Sequence, residues 1–172
     1  MTQITLKGTP IQTSGTLPQI GLKAPDFTLT QTDLSERALQ DFSGKTVLLN
    51  IFPSLDTSVC AQSVKTFNQI VTTYADVIVL CISADLPFAH KRFCETDNIK
   101  NVISLSCFRH PEFGKNYGLT ITSGPLNGLL SRAIVLINAE GKITYTEQVP
   151  EIAQEPNYEK ALAAVKRPTH SR

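Results

Sequence analysis

The sequence predicts an α/β domain with a mixed central sheet, flanking helices and an N-terminal β-hairpin, and three observations carry that expectation. Residues 46–52 (TVLLNIF) and 77–83 (VIVLCIS) are almost unbroken aliphatic and β-branched runs, the pattern of parallel strands covered on both faces. Between them Val64, Phe67, Ile70, Val71 and Tyr74 recur every three or four residues, which makes 58–74 an amphipathic helix. Asn138-Ala139-Glu140-Gly141 separates two further strand-like runs, and a four-residue connection ending in glycine reads as a hairpin, the antiparallel part of the sheet.

Taken in order, residues 3–7 and 11–13 alternate around Gly8-Thr9-Pro10, a turn signal between two short strands at the edge of the core. Residues 27–30 alternate apolar residues with threonine, as a half-buried strand does. The strand, helix and strand at 46–83 form a βαβ unit whose crossover should be right-handed. A second unit follows: Pro87 suits a first helical turn, 88–94 is helical, and 102–105 is a strand. Strands 132–137 and 143–149 form the hairpin, and 157–165 is the last helix. The order βαβαβ, hairpin, helix matches a thioredoxin-like layout with additions. No repeat, low-complexity tract or linker divides the chain, so residues 1–166 read as one domain and 167–172 as a polar tail.

With 172 residues, 41% hydrophobic and 18% charged, the chain can bury one core and is neither collagen-like nor disordered. A net charge of +1 gives no field for nucleic acid or an anionic membrane. The longest apolar run, 77–82, has six residues, where a membrane-spanning helix takes about 20. The first residues lack the basic-then-apolar pattern of a secretory leader, so the cytoplasm is the expected compartment. Four cysteines, Cys60, Cys81, Cys94 and Cys107, then face a reducing pool, where a reactive thiol is more in place than a permanent disulfide.

Cys60 falls in the first turn of the helix that leaves strand 46–52, at the carboxyl end of a parallel strand, where open α/β sheets place their sites. Unpaired amides at a helix N-terminus favour a thiolate over a thiol. Pro53, Thr57 and Cys60 stand in the spacing P-x-x-x-T-x-x-C within Asn50-Ile51-Phe52-Pro53-Ser54-Leu55-Asp56-Thr57-Ser58-Val59-Cys60-Ala61. Two more blocks follow in order: Cys81 to Phe88 running to Arg92-Phe93-Cys94, and Gly124-Pro125-Leu126 running to Ser131-Arg132-Ala133.

These three blocks resemble peroxiredoxins, and among them the bacterial thiol peroxidase subfamily, over essentially the whole chain. The resemblance implies a thiol-dependent peroxidase. Cys60 is then the nucleophile that attacks a peroxide oxygen and becomes a sulfenic acid. Thr57 points its hydroxyl at the sulfur and the peroxide, Arg132 holds the thiolate and the developing charge, and Pro53 shapes and shields the pocket. It further implies that Cys94 resolves the sulfenic acid in a Cys60–Cys94 disulfide, that thioredoxin reduces this bond, and that the protein is a homodimer acting on hydrogen peroxide and alkyl hydroperoxides. No cofactor is called for, because sulfur itself carries the two electrons. If the reduced fold keeps the two sulfurs apart, the helix segments around Cys60 and Cys94 must partly unwind in each cycle.

Rival readings rest on single features. Cys107-Phe108-Arg109-His110 is a C-x-x-H, and His90 lies four residues before Cys94, so structural zinc is one alternative; otherwise His90, His110 and His170 read as surface or loop residues. A thioredoxin-type dithiol enzyme would need C-x-x-C, but Cys60 is followed by Ala61, Gln62 and Ser63. A non-enzymatic redox switch, whose oxidation exposes a partner-binding surface, uses the same two cysteines. Cys81 reads as a core residue. Cys107 departs from the subfamily pattern and leaves the disulfide pairing open on sequence alone.

Overall fold

The computed structural model describes residues 2–74 and 76–166; the expected polar tail lies outside the described residues. The chain enters as an antiparallel hairpin, β1 (Gln3–Leu6) and β2 (Thr9–Gln12). Its turn is Lys7-Gly8, with φ of 50° and 85°, so Thr9 and Pro10 belong to the second strand rather than to the turn. A two-residue hairpin loop needs both central residues left-handed, which Gly8 adopts without cost. This pair forms its own two-stranded sheet.

Next come β3 (Thr28–Gln31) and β4 (Glu36–Ala38). The short polar β4 carries no hydrophobic alternation, so it escaped the sequence reading; it exists because β3 offers it an open edge. β5 (Thr46–Ile51), α1 (Ser58–Ile70), β6 (Val77–Ser83), α2 (Pro87–Thr96) and β7 (Ile103–Ser106) follow as the two expected βαβ units. A one-turn helix, α3 (Glu112–Asn116), was also unpredicted, being too short to show a period. The chain closes with β8 (Ala133–Ile137), β9 (Ile143–Gln148) and α4 (Tyr158–Lys166).

The main sheet has seven strands in the order β4-β3-β7-β6-β5-β8-β9. β5, β6 and β7 are parallel, and every other pairing is antiparallel. This is the mixed sheet of a thioredoxin-like fold. Alternate residues of the central strands feed two cores, as the two-residue period of a strand requires. On one face Val47, Leu49, Ile51, Leu80 and Ile82 pack against Phe27, Phe113 and Tyr117. On the other, Leu48, Phe52, Val79, Cys81 and Ile134 pack with Cys60, Val64 and Phe67 of α1, Phe93 of α2 and Ala161 of α4. Both crossover helices therefore lie on one side of the sheet. Among the described residues no helix is long and apolar enough to cross a membrane.

Candidate active site

β5 ends at Ile51, and the loop from Phe52 to Thr57 delivers the chain to α1. Thr57 occupies the N-cap position, with extended backbone, so Cys60 is the third residue of the helix. The loop is held from the neighbouring strand end. Asp85, just past β6, accepts hydrogen bonds from Leu55 N at 2.8 Å, Ser54 Oγ at 2.9 Å and Ser83 Oγ at 2.6 Å. One carboxylate thus ties the carboxyl ends of two adjacent parallel strands together.

Cys60 is fully buried. Its sulfur accepts a hydrogen bond from Arg132 Nη2 at 3.2 Å. Arg132, immediately before β8, is only 1% exposed; Nε and Nη2 both donate to the Ile152 carbonyl, at 3.1 and 2.8 Å. Nη1 is buried with no partner among the described residues, and none of the ion pairs found there involves Arg132. A buried cation without a carboxylate is costly. The neighbouring group that accepts from it is the Cys60 sulfur, so the arrangement offers a permanently charged donor to whatever charge develops at that sulfur.

Pro53 is buried in the loop, where it has no amide proton to satisfy. Thr57 differs from the sequence expectation. Its side chain is exposed, its Oγ1 donates to the Ser54 carbonyl at 3.0 Å, and no hydrogen bond joins it to Cys60. The tight turn presents that carbonyl three residues back, and a short hydroxyl takes the local acceptor.

All four cysteines are free thiols. Cys94 sits on α2, half-buried, with its sulfur 3.3 Å from Ser104 Oγ on β7; burial raises its pKa. Its sulfur engages Ser104 whereas that of Cys60 engages Arg132. Cys81 and Cys107 are buried, and burial pushes each up to about 12, which keeps them protonated at neutral pH.

His90 corrects a sequence expectation. Read as a surface residue, it is fully buried, because α2 turns His90 and Phe93 toward the sheet. Ser83 donates its hydroxyl proton to Asp85, so at 3.0 Å the Ser83 oxygen accepts from His90 Nε2–H. Nδ1 is left without a partner. Burial drives the His90 pKa down to about 4, against the opposing pull of Asp85, so the ring is neutral at pH 7. His90 and Cys94 engage different partners, Ser83 and Ser104, while His110 pairs with Glu36 at the sheet edge. No cluster of three or more metal-ligating side chains occurs among the described residues.

The roles of Asp85 and His90 were missed in the sequence. Asp85 could have been found, since an acidic residue just past one buried parallel strand lies beside the loop that follows its neighbour. For His90 no such signal existed; the face it occupies follows from how α2 docks.

Fold and site together define a thioredoxin-like domain in which a buried thiol at a helix start accepts from a buried guanidinium that has no ion-pair partner among the described residues. The redoxin family profile matches residues 19–162. A thiol peroxidase of Mycobacterium tuberculosis is 57% identical over 165 residues, 96% of this chain and 99% of that protein. Among solved structures, a peroxiredoxin-like protein from Aquifex aeolicus superposes with a TM-score of 0.91 at 41% identity, over 95% of each chain. A thiol peroxidase from Chromobacterium violaceum, 22% identical, shares the fold with a TM-score of 0.88 over 95% of each chain. The chain belongs to the redoxin family.

Proposed function

We infer that this redoxin is a peroxiredoxin-type enzyme, a thiol-dependent peroxidase in which Cys60 is the attacking thiolate. The observation that carries the reading is the Arg132 guanidinium, buried, without a carboxylate partner and 3.2 Å from the Cys60 sulfur. The thiolate attacks one peroxide oxygen; the O–O bond breaks, and the other oxygen leaves with the electron pair, takes up a proton and departs as an alcohol or water. The attacked oxygen stays on sulfur as the sulfenic acid. Arg132 Nη1, an unpaired donor in the same site, serves the oxygen on which charge develops.

Cys94 then displaces hydroxide from Cys60, which leaves as water with the Cys94 proton, and the Cys60–Cys94 disulfide forms. A dithiol reductant of thioredoxin type restores both thiols. Its position on the helix adjoining the active-site loop, and the deep burial of Cys81 and Cys107, support Cys94 over the other thiols. Phe52, Leu55 and Val64, packed with Cys60, suit the apolar substituent of an alkyl hydroperoxide alongside hydrogen peroxide. Leu86, Phe88 and Phe108 are exposed beside the Asp85 end of the site, an apolar patch that a homodimer would cover. Four free thiols fit the reducing cytoplasm.

The test is steady-state peroxide consumption with thioredoxin and its reductase. Cys60→Ser should abolish turnover. Cys94→Ser should oxidise once at Cys60, seen as a single added oxygen by mass spectrometry, and then stall. Wild-type protein that stops after one equivalent of peroxide with reductant present would instead mark a redox switch.

A further inference from the structure

Arg132 is aimed by the main chain rather than by a side chain, and that main chain is held in turn by the N-terminal hairpin. The Ile152 carbonyl receives two of the guanidinium's donors, so the position of residue 152 sets where the third points. Ile152 N donates to Thr5 O at 2.9 Å, and Thr5 N donates to Pro150 O at 2.7 Å, which adds segment 150–152 alongside β1. Glu151 locks this arrangement. Its carboxylate accepts from Lys7 N at 2.9 Å, Gly8 N at 3.0 Å, Thr5 Oγ1 at 2.7 Å and Ala153 N at 2.9 Å. These bonds hold its pKa down at about 2, the amide of Ala153 contributing most, so the carboxylate stays ionised across the physiological range.

The hairpin also grips the chain on the other side of Arg132. Thr13 bridges Ile121, Thr122 N donates to Gln12 O at 2.8 Å, and Gln12 N donates to Ser123 Oγ at 3.0 Å. From there Ser131 N donates to Leu119 O at 2.8 Å, next to Arg132 itself. Ile4, Ile11, Ile121 and Ile152 close the gap as a separate apolar cluster.

We propose that Glu151 and the β1–β2 hairpin are positioning elements for Arg132: the carboxylate clamps the Lys7-Gly8 turn onto segment 150–153 and so fixes the carbonyl that directs the guanidinium at the Cys60 sulfur. This rests on the reading that Arg132 activates Cys60. Sub-ångström control matters here, because a small misplacement of a charge-stabilising donor reduces rate sharply.

The test uses the full chain as wild type, Glu151→Gln, Glu151→Ala, Arg132→Lys and the Glu151→Gln/Arg132→Lys double variant. Two quantities are read: the second-order rate constant for Cys60 oxidation by hydrogen peroxide in rapid mixing, and hydrogen exchange of the Arg132 Nε–H by ¹⁵N NMR. Glu151→Ala should slow oxidation by about 10- to 100-fold, with a smaller loss for Glu151→Gln, and both should speed Nε–H exchange. The double variant should be no slower than Arg132→Lys alone. Glu151→Gln keeps the volume and one acceptor oxygen, so the comparison stands even where Glu151→Ala does not fold. Wild-type oxidation and exchange in the Glu151 variants overturn the proposal, as do losses that multiply in the double variant. Arg132→Lys oxidising at the wild-type rate overturns the role of Arg132 itself, a result read separately from whether Glu151 controls Nε–H exchange.

Discussion

Replacing Arg132 by methionine separates chemistry from folding at this site. The side chain keeps an apolar stem but loses the Nη2 donor 3.2 Å from the Cys60 sulfur and the unpaired Nη1. A hydrogen bond between charged groups contributes about 1.5–3 kcal/mol, or about 10- to 150-fold in rate if it is lost only from the reacting thiolate. Removing a donor to the developing negative charge costs a further factor of about 10²–10³. Arg132→Met should therefore lower the rate constant for Cys60 oxidation by at least about 10³-fold. Stability should respond differently. The Ile152 carbonyl loses both donors, at about 1–3 kcal/mol, while an unpaired buried charge disappears, and apolar replacement of buried ionic groups is often neutral or stabilising by about 1–4 kcal/mol. These offset, so the unfolding free energy of the reduced protein should change by no more than about 3 kcal/mol in either direction. Rapid-mixing oxidation measures the first quantity and urea unfolding the second. An oxidation rate within about threefold of wild type, or a large loss of stability with unchanged chemistry in the folded fraction, would refute the argument.

Opening of α2 should be pH-dependent through His90. In the closed helix the ring titrates at about 4 and its ordinary value is 6.5, so the opened form binds the proton first. Closed-helix stability is full above about pH 6.5 and is lost as pH falls toward 4; at pH 5.5 opening gains about 1.4 kcal/mol, roughly tenfold. Amide exchange across α2, corrected for intrinsic rates, should show this rise in wild type and not in His90→Gln; equal pH dependence in both would remove His90 as the cause. Asp85→Asn leaves a single acceptor oxygen where the carboxylate now takes bonds from Leu55, Ser54 and Ser83. Losing one charge-assisted bond of about 1.5–3 kcal/mol should speed exchange of the Leu55 amide by about tenfold or more; an unchanged Leu55 amide would show that the loop is held by packing alone.

How much was legible beforehand depends on whether a feature is local in the chain. The unbroken apolar runs of β5 and β6 and the three-to-four-residue recurrence in α1 are imposed by burial on both faces of a strand and on one face of a helix. They could be read directly, and with them the placement of Cys60 in the first turn of α1. Polar β4 and one-turn α3 had no such imprint, since one exists by pairing to an open edge and the other by a single turn of backbone.

Sequence by itself determined the strand-helix-strand frame and the thiol at a helix start, because periodicity and spacing are properties of neighbouring positions; the expectation that Arg132 belongs beside that thiol came from the family resemblance. Only the tertiary structure decided that Arg132, 72 residues away, donates to that sulfur, that the Thr57 hydroxyl turns to Ser54, that His90 faces inward, and that the N-terminal hairpin braces the Ile152 carbonyl. Those contacts join segments distant in the chain, and which atoms meet is set by how helices dock on the sheet and which buried polar groups can satisfy one another.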